Sequence, residues 1–349
     1  MCGPTDIAVP KVGGGLEKSI TTTTKNNNSE GKFRPVDVVL EPPSLMSRYA
    51  CASLMLAIFA VWGKISFLDE NKAPGIGSDI HSWKTPLALT VSYLVALPLL
   101  RSFSKNVLSQ VVDVKLLLKE TMIVYNGGQV LLNAWMVYRF VDSLINKGHP
   151  FIGDLYTNTS GTTFAVWIHY MDKYLEFFDT FFMVLRGRMD QVSFLHVYHH
   201  ISIAWAWWFA ILCYPGGDAY FGALLNSWIH VMMYSYYTLS LLKFNCPWKK
   251  YLTQAQLLQF TSVVIYTIFS AGIQIRGGVA EPKHYACFAV QAFEMISMLV
   301  LFMHFYSKAY KKRKAEKRNS VGSEDTVPEQ ASIHSDGSDS DVATTKKQQ

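Results

Sequence analysis

Gln191 to His200 reads QVSFLHVYHH, and within it His196, His199 and His200 stand at i, i+3 and i+4. On a helix that spacing puts all three imidazoles on one face. Just upstream, HYMDKYLEFFDT (His169 to Thr180) repeats ionisable residues at three- and four-residue steps: His169, Asp172, Lys173, Glu176 and Asp179. Imidazoles beside carboxylates offer two chemistries. They can ligate iron or zinc, or one can act as nucleophile or general base while a neighbour fixes its tautomer. Both stripes lie in or against runs apolar enough for a bilayer, where an Asp, Lys or Arg costs about 2.5–3.5 kcal/mol by insertion scales. A polar network that only glues helices is the plain alternative. For His196, His199 and His200, crowded beside the Glu/Asp/Lys stripe, chemistry is favoured.

Further polar faces surround these stripes. Asn226, His230, Met233, Tyr234 and Tyr237 follow helical spacing and form a polar-aromatic face. Thr253, Gln256 and Gln259 make an amide stripe, as do Tyr125, Asn126, Gln129 and Asn133; alone, each stripe is equally well helix–helix glue. For Lys173, Glu176 and Asp179, structural ion pairing competes evenly with a role in orienting imidazoles. A di-iron oxidase would need several histidine boxes, and His81, His149, His284 and His304 stand isolated. No metal and no other cofactor is therefore expected. Cys2, Cys51, Cys213, Cys246 and Cys287 lack CxxC spacing and lie outside the motifs.

The elements that must position these residues are membrane helices. Of the 349 residues 50% are hydrophobic, mean hydropathy is +0.14, and charge sits outside the apolar runs, as in a polytopic membrane protein. The net charge of +6 follows from basic loops beside spans and calls for no nucleic acid. Apolar runs fall at 85–100, 121–141, 162–185, 193–213, 220–242, 254–275 and 285–306, and a shorter one at 49–63 suggests an extra helix. Basic residues cluster at 101–119, at Arg186 and Arg188, at 243–250 and at 308–318. These regions alternate so as to share one side, which places the C-terminus in the cytosol. Residues 1–44 and the Ser/Asp/Glu-rich tail within 311–349 have disordered composition, and no signal peptide is expected. Lys346 and Lys347 near the end match a dilysine retrieval signal for the endoplasmic reticulum. Asn158-Thr159-Ser160 is a glycosylation sequon in a loop on the opposite side.

Four motifs occur in order: Lys173-x-x-Glu176-x-x-Asp179-Thr180, His196-x-x-His199-His200, His230-x-x-Met233-Tyr234-x-Tyr236-Tyr237 and Thr253-x-x-Gln256-x-x-Gln259. Together, with Tyr125-Asn126 before them, they resemble the very-long-chain fatty acid elongase family, the membrane 3-ketoacyl-CoA synthases, from about residue 85 to 310. The resemblance implies an all-α, seven-transmembrane-helix barrel around an acyl tunnel. Residues 45–68, the extra apolar run, have no counterpart in it. It further implies condensation of acyl-CoA with malonyl-CoA, giving CO2, CoA and a 3-ketoacyl-CoA two carbons longer. His199 would attack the thioester, with His196, His200 and His230 positioning it and handling protons. Lys173, Glu176, Asp179, Tyr234, Tyr237, Gln256, Gln259 and Asn126 would support the site and the substrates. CoA would enter from the cytosolic side, where Arg186 and Arg188 could meet its phosphates or simply belong to a positive-inside loop. QVSFLHVYHH resembles the branch acting on polyunsaturated chains. The reductases and dehydratase of the elongation cycle are the expected neighbours in the membrane. The rivals are a metal-dependent fatty acyl desaturase or hydroxylase and a non-enzymatic lipid transporter.

Overall fold

The computed structural model describes residues 20–22, 36–38, 40–67, 82–154, 161–213 and 216–322. Pro42-Pro43 precede the first helix, α1 (Leu45–Phe67), and Ser44 caps it: the Ser47 N–H donates to Ser44 Oγ at 3.1 Å. The short apolar run at 49–63 thus becomes a helix of 23 residues, because Leu45 and Met46 extend it at one end and Ile65 to Phe67 at the other. That length reaches across a bilayer core. Helix α2 (Lys84–Phe103) runs through a π turn at 104–108 into the short α3 (Ser109–Val111) and α4 (Val114–Leu117), the last capped by Asp113 Oδ1. Helix α5 (Lys119–Asn146) follows. Then come α6 (Thr162–Leu175), α7 (Phe177–Leu185), α8 (Phe194–Cys213), α9 (Ala219–Leu241), α10 (Leu252–Arg276) and α11 (Pro282–Gly322).

Among the described residues four helical segments are long and apolar enough to cross a membrane: Leu45–Phe67, Lys84–Val111, Pro247–Arg276 and Pro282–Lys308. Their outer faces carry exposed Leu54, Val61, Val91, Leu99, Ile268, Phe269, Phe293 and Val300, which suits contact with lipid. On the helices between them polar residues point inward: Gln129, Asn133, His169, Asp172, Lys173, His196 and Ser227 are all buried. Apart from one break, the expected spans are helical. Outside them, β1 (Ile20–Thr22) pairs antiparallel with β2 (Val36–Val38), Ile20 opposite Val38, within the stretch whose composition reads as disordered.

One expectation is corrected. The run at 162–185 is two helices, α6 and α7, meeting at Glu176. There the Asp179 N–H reaches back only three residues, to the Glu176 carbonyl at 3.1 Å, a tightened turn in place of a regular one. The break falls on the carboxylate that the site uses most.

Packing places α5 along α9 and α1 along α5. Phe59 lies over Gly128, where an added Cβ would sit 2.7 Å from its ring. Arg48 pairs with Glu120, and the Trp62 indole donates to the Met171 carbonyl at 3.1 Å. A core of Met136, Phe140, Phe164, Ile168, Tyr220 and Tyr266 joins α5, α6, α9 and α10. Among the described residues, those up to Tyr306 and those from Ser307 to Gly322 fall in separate units, and the backbone of α11 is helical through the basic residues to Gly322. Lys346, Lys347 and the Asn158 sequon lie outside the described residues.

Candidate active site

The ionisable stripe of α6 and α7 meets the polar face of α9. Lys173 Nζ donates to Glu176 Oε1 at 2.5 Å and to Asn226 Oδ1 at 3.0 Å. His230 Nδ1 lies 3.0 Å from the same Glu176 oxygen. All four side chains are buried, Lys173 and Glu176 at 1% exposure. Behind them Asn133 Nδ2 donates to Asp172 Oδ2 at 3.4 Å and to Gln129 Oε1 at 3.1 Å, and His169 Nδ1 is 3.2 Å from Ser227 Oγ. Charges so placed are tolerable only because each meets an opposite charge or a hydrogen-bonding partner.

The histidine box lies on α8 as the spacing predicts, with His196, His199 and His200 all buried. Thr180 Oγ1 bridges two elements: it lies 2.9 Å from His196 Nε2 and 2.7 Å from the Tyr93 hydroxyl of α2. The His196 and His200 rings are 4.5 Å apart, those of His199 and His200 5.4 Å. Phe177 and Tyr93, stacked at 4.3 Å, wall His200 on the far side. Among the described residues, neither ring nitrogen of His200 has a hydrogen-bond partner, nor has His199 Nδ1. Phe177 and Thr180 of α7 carry the ionisable stripe up to the histidine box. The two stripes read from the sequence are thus one cluster.

Asp179 is half-buried and accepts from the Tyr234 hydroxyl at 2.7 Å; Tyr125 lies 3.4 Å from that hydroxyl and bonds the Leu175 carbonyl. Tyr237 packs edge-on to Tyr234. Gln256 and Asn126 are buried with Oε1 and Nδ2 unbonded, so neither is tied to the ion cluster by a hydrogen bond from that atom. Gln259 instead lines a partly open cavity between α8, α9, α10 and α11, together with Asn226, Ile203, Ala206, Val263 and Met295. Asn226 therefore touches both the cavity and Lys173.

Asp172, Glu176 and His230 offer ligand atoms within 4.8 Å of one another, a set that could hold a cation. Lys173 already supplies the positive charge at Glu176, which weakens that use. Arg186 and Arg188 lie in the α7–α8 loop; Arg188 donates twice to Asp190 and holds its carboxyl below the usual carboxylate range. Tyr93 was invisible as a site residue in the sequence, being one tyrosine in an apolar run. Asn226 and Thr180 stood inside recognised patterns without an assigned role. Asp218 and Glu294, both at 4% exposure, were also missed, although single carboxylates at or inside apolar runs are themselves a signal.

The chain that carries this site is similar to known proteins. Residues 79–318, more than half of the chain, match the family described as ELO: GNS1/SUR4. Very long chain fatty acid elongase 2 of Rattus norvegicus is 34% identical over 252 residues, covering 70% of this chain and 85% of the relative. Very long chain fatty acid elongase 5 of Homo sapiens is 40% identical over 205 residues, 56% of this chain and 66% of the relative. Elongase 5 of Tachysurus fulvidraco is 37% identical over 199 residues, 55% of this chain and again 66% of the relative. The chain thus spans about two thirds of the length of these elongase 5 relatives. Helix α1 precedes the matched residues, yet packs on α5 and α6 inside them. This helical, multi-pass membrane protein, with its buried histidines and ion cluster, belongs to the ELO family of fatty acid elongases.

Proposed function

We propose that this protein is the condensing enzyme of fatty acid elongation, joining an acyl-CoA to malonyl-CoA to give a 3-ketoacyl-CoA, CO2 and CoA. One observation carries the reading: the α6–α7 stripe that holds the Lys173–Glu176–His230 cluster meets the histidine box through Thr180 and Phe177, and the cluster adjoins a mostly apolar cavity through Asn226. That is the arrangement a covalent acyl transfer in a dry channel needs.

In this reading an imidazole nitrogen of His199 forms a bond to the thioester carbonyl carbon as the C–S bond breaks, and the CoA thiolate leaves with a proton. The acyl group waits on the imidazole with its chain in the cavity, sheltered from water. Malonyl-CoA then loses CO2. The electron pair released forms the new C–C bond to the acyl carbon, and the imidazole departs. His196, held by Thr180, keeps α8 in register; His230 and Lys173 stabilise developing negative charge, balanced at rest by Glu176. Tyr234, Tyr237, Asp179, Gln256, Gln259 and Asn126 shape the surrounding wall. The substrate class we favour is polyunsaturated, on the stretch QVSFLHVYHH, and the compartment is the endoplasmic reticulum with the C-terminus cytosolic, on the basic loops and the dilysine. The reductases and dehydratase of the cycle would act next on the product.

The test uses membranes expressing the full chain, labelled malonyl-CoA, a panel of saturated, monounsaturated and polyunsaturated acyl-CoAs, and no NADPH. Label in a 3-keto chain two carbons longer is the expected result. Its absence with every acyl-CoA, from folded protein, would remove the reading.

A further inference from the structure

In α11 the residues from His284 to Ser307 include one Asp, Glu, Lys or Arg, namely Glu294; the next such residues are Lys283 and Lys308. This is the most apolar of the candidate spans, so a carboxyl group there asks for a reason. Glu294 is 4% exposed and lines the cavity. Ser202 Oγ donates to its Oε1 at 2.6 Å. Joining α8 to α11 does not by itself require an acid, since the next turn is joined by two hydroxyls, Tyr198 and Ser297, 3.1 Å apart. The serine also engages only one carboxyl oxygen, and no other hydrogen bond to this carboxyl is found among the described residues.

Gln291, one turn away on α11, lines the same cavity and reaches across it. Its Nε2 comes to 3.6 Å of where a Cβ on Gly222 of α9 would stand. The remaining wall is mostly apolar, with Ile203, Ala206, Ala210, Val263 and Met295. A carboxyl oxygen and an amide N–H on one strip of an apolar cavity form a directional site. The group that satisfies both is a hydroxyl, which donates to the carboxyl and accepts from the amide. Ser202 follows His199 by three residues, about 4.5 Å of helical rise. The strip therefore stands about one turn along from the imidazole proposed to carry the acyl carbonyl.

We propose that Glu294 and Gln291 form a subsite for a hydroxyl group on the acyl chain, near its carboxyl end, so that the protein elongates hydroxylated acyl-CoAs as well as plain ones. The inference rests on the condensing reading above. Membranes carrying the full chain are given labelled malonyl-CoA and octadecanoyl-CoA or octadecatrienoyl-CoA, each either plain or with one hydroxyl at successive positions along the first half of the chain. The wild type is expected to favour one hydroxyl position. The ratio of kcat/KM for that isomer over the plain chain is expected to fall about tenfold in Glu294→Leu. Gln291→Leu should lower it too, and decides the matter where the first variant fails to accumulate. Ser202→Ala, which removes the interhelical bond and leaves the carboxyl, should keep the preference. Label from plain chains but from no hydroxylated isomer would overturn the subsite. So would a ratio unchanged in both leucine variants. No label from any chain would instead remove the condensing reading.

Discussion

At the scale of residues, the site is organised by one carboxylate. Glu176 faces an ammonium and an imidazole, so removing its charge leaves Lys173 buried with only the amide oxygen of Asn226. Breaking a buried pair in this way costs about 3–5 kcal/mol. Glu176→Gln should therefore lower thermal stability in detergent as well as condensation, whereas the double change Lys173→Met with Glu176→Gln should recover part of the stability but not the activity. A fully recovered rate would show the pair to be structural. For His199, the nucleophile reading predicts a loss of at least about a thousandfold in His199→Ala at normal accumulation. Acyl-CoA given without malonyl-CoA should leave a mass increment equal to the acyl group on the peptide holding His199. An increment on His196 or His200 instead would reassign the nucleophile.

At the scale of elements, two joints hold the site. One is the break between α6 and α7, where the chain turns at Glu176 and presents Lys173 to α9 on one side and Thr180 to α8 on the other. The other is Asp218 at the start of α9. Its carboxylate accepts from the N–H groups of Gly153 and Asp154, at 2.9 and 3.0 Å, from Gln274 at 3.1 Å and from Ser270, so one side chain ties the α5–α6 connection to α9 and α10. Tyr220 and Tyr266 fasten the same connection through the Phe151 carbonyl. Because Asp218 also lines the cavity, this joint forms part of its wall. Asp218→Ala orphans several buried donors at roughly 1–3 kcal/mol each. It should lower the unfolding temperature in detergent and broaden the range of acyl lengths accepted. An unchanged melting temperature would mean that the joint carries no load.

At the scale of the whole molecule, the competing chemistry is a metal one, supported by the convergence of Asp172, Glu176 and His230. With Lys173 seated on Glu176, treatment of membranes with strong chelators should leave condensation unchanged. Loss of activity restored by added iron or zinc would favour the metal reading. Helix α1 adds a feature at this scale: it lies outside the matched family residues, yet its Trp62 bonds the Met171 carbonyl, one residue before Asp172.

What the sequence by itself determined is the membrane class, the helical spans and the residues that share a face. Hydropathy and a 3.6-residue period are local properties, so spacing alone puts His196, His199 and His200 on one side of α8, and Lys173 and Glu176 on one side of their run. The order of the motifs determined the family. What only the tertiary structure decided is which face meets which. Partners such as Lys173 with Asn226, or Thr180 with both His196 and Tyr93, are 53, 16 and 87 residues apart. No local period encodes such pairings, because they arise from how α2, α6, α7, α8 and α9 pack against one another. The break at Glu176 escaped because apolar residues continue through it, with no glycine or proline between Thr162 and Leu185 to mark it.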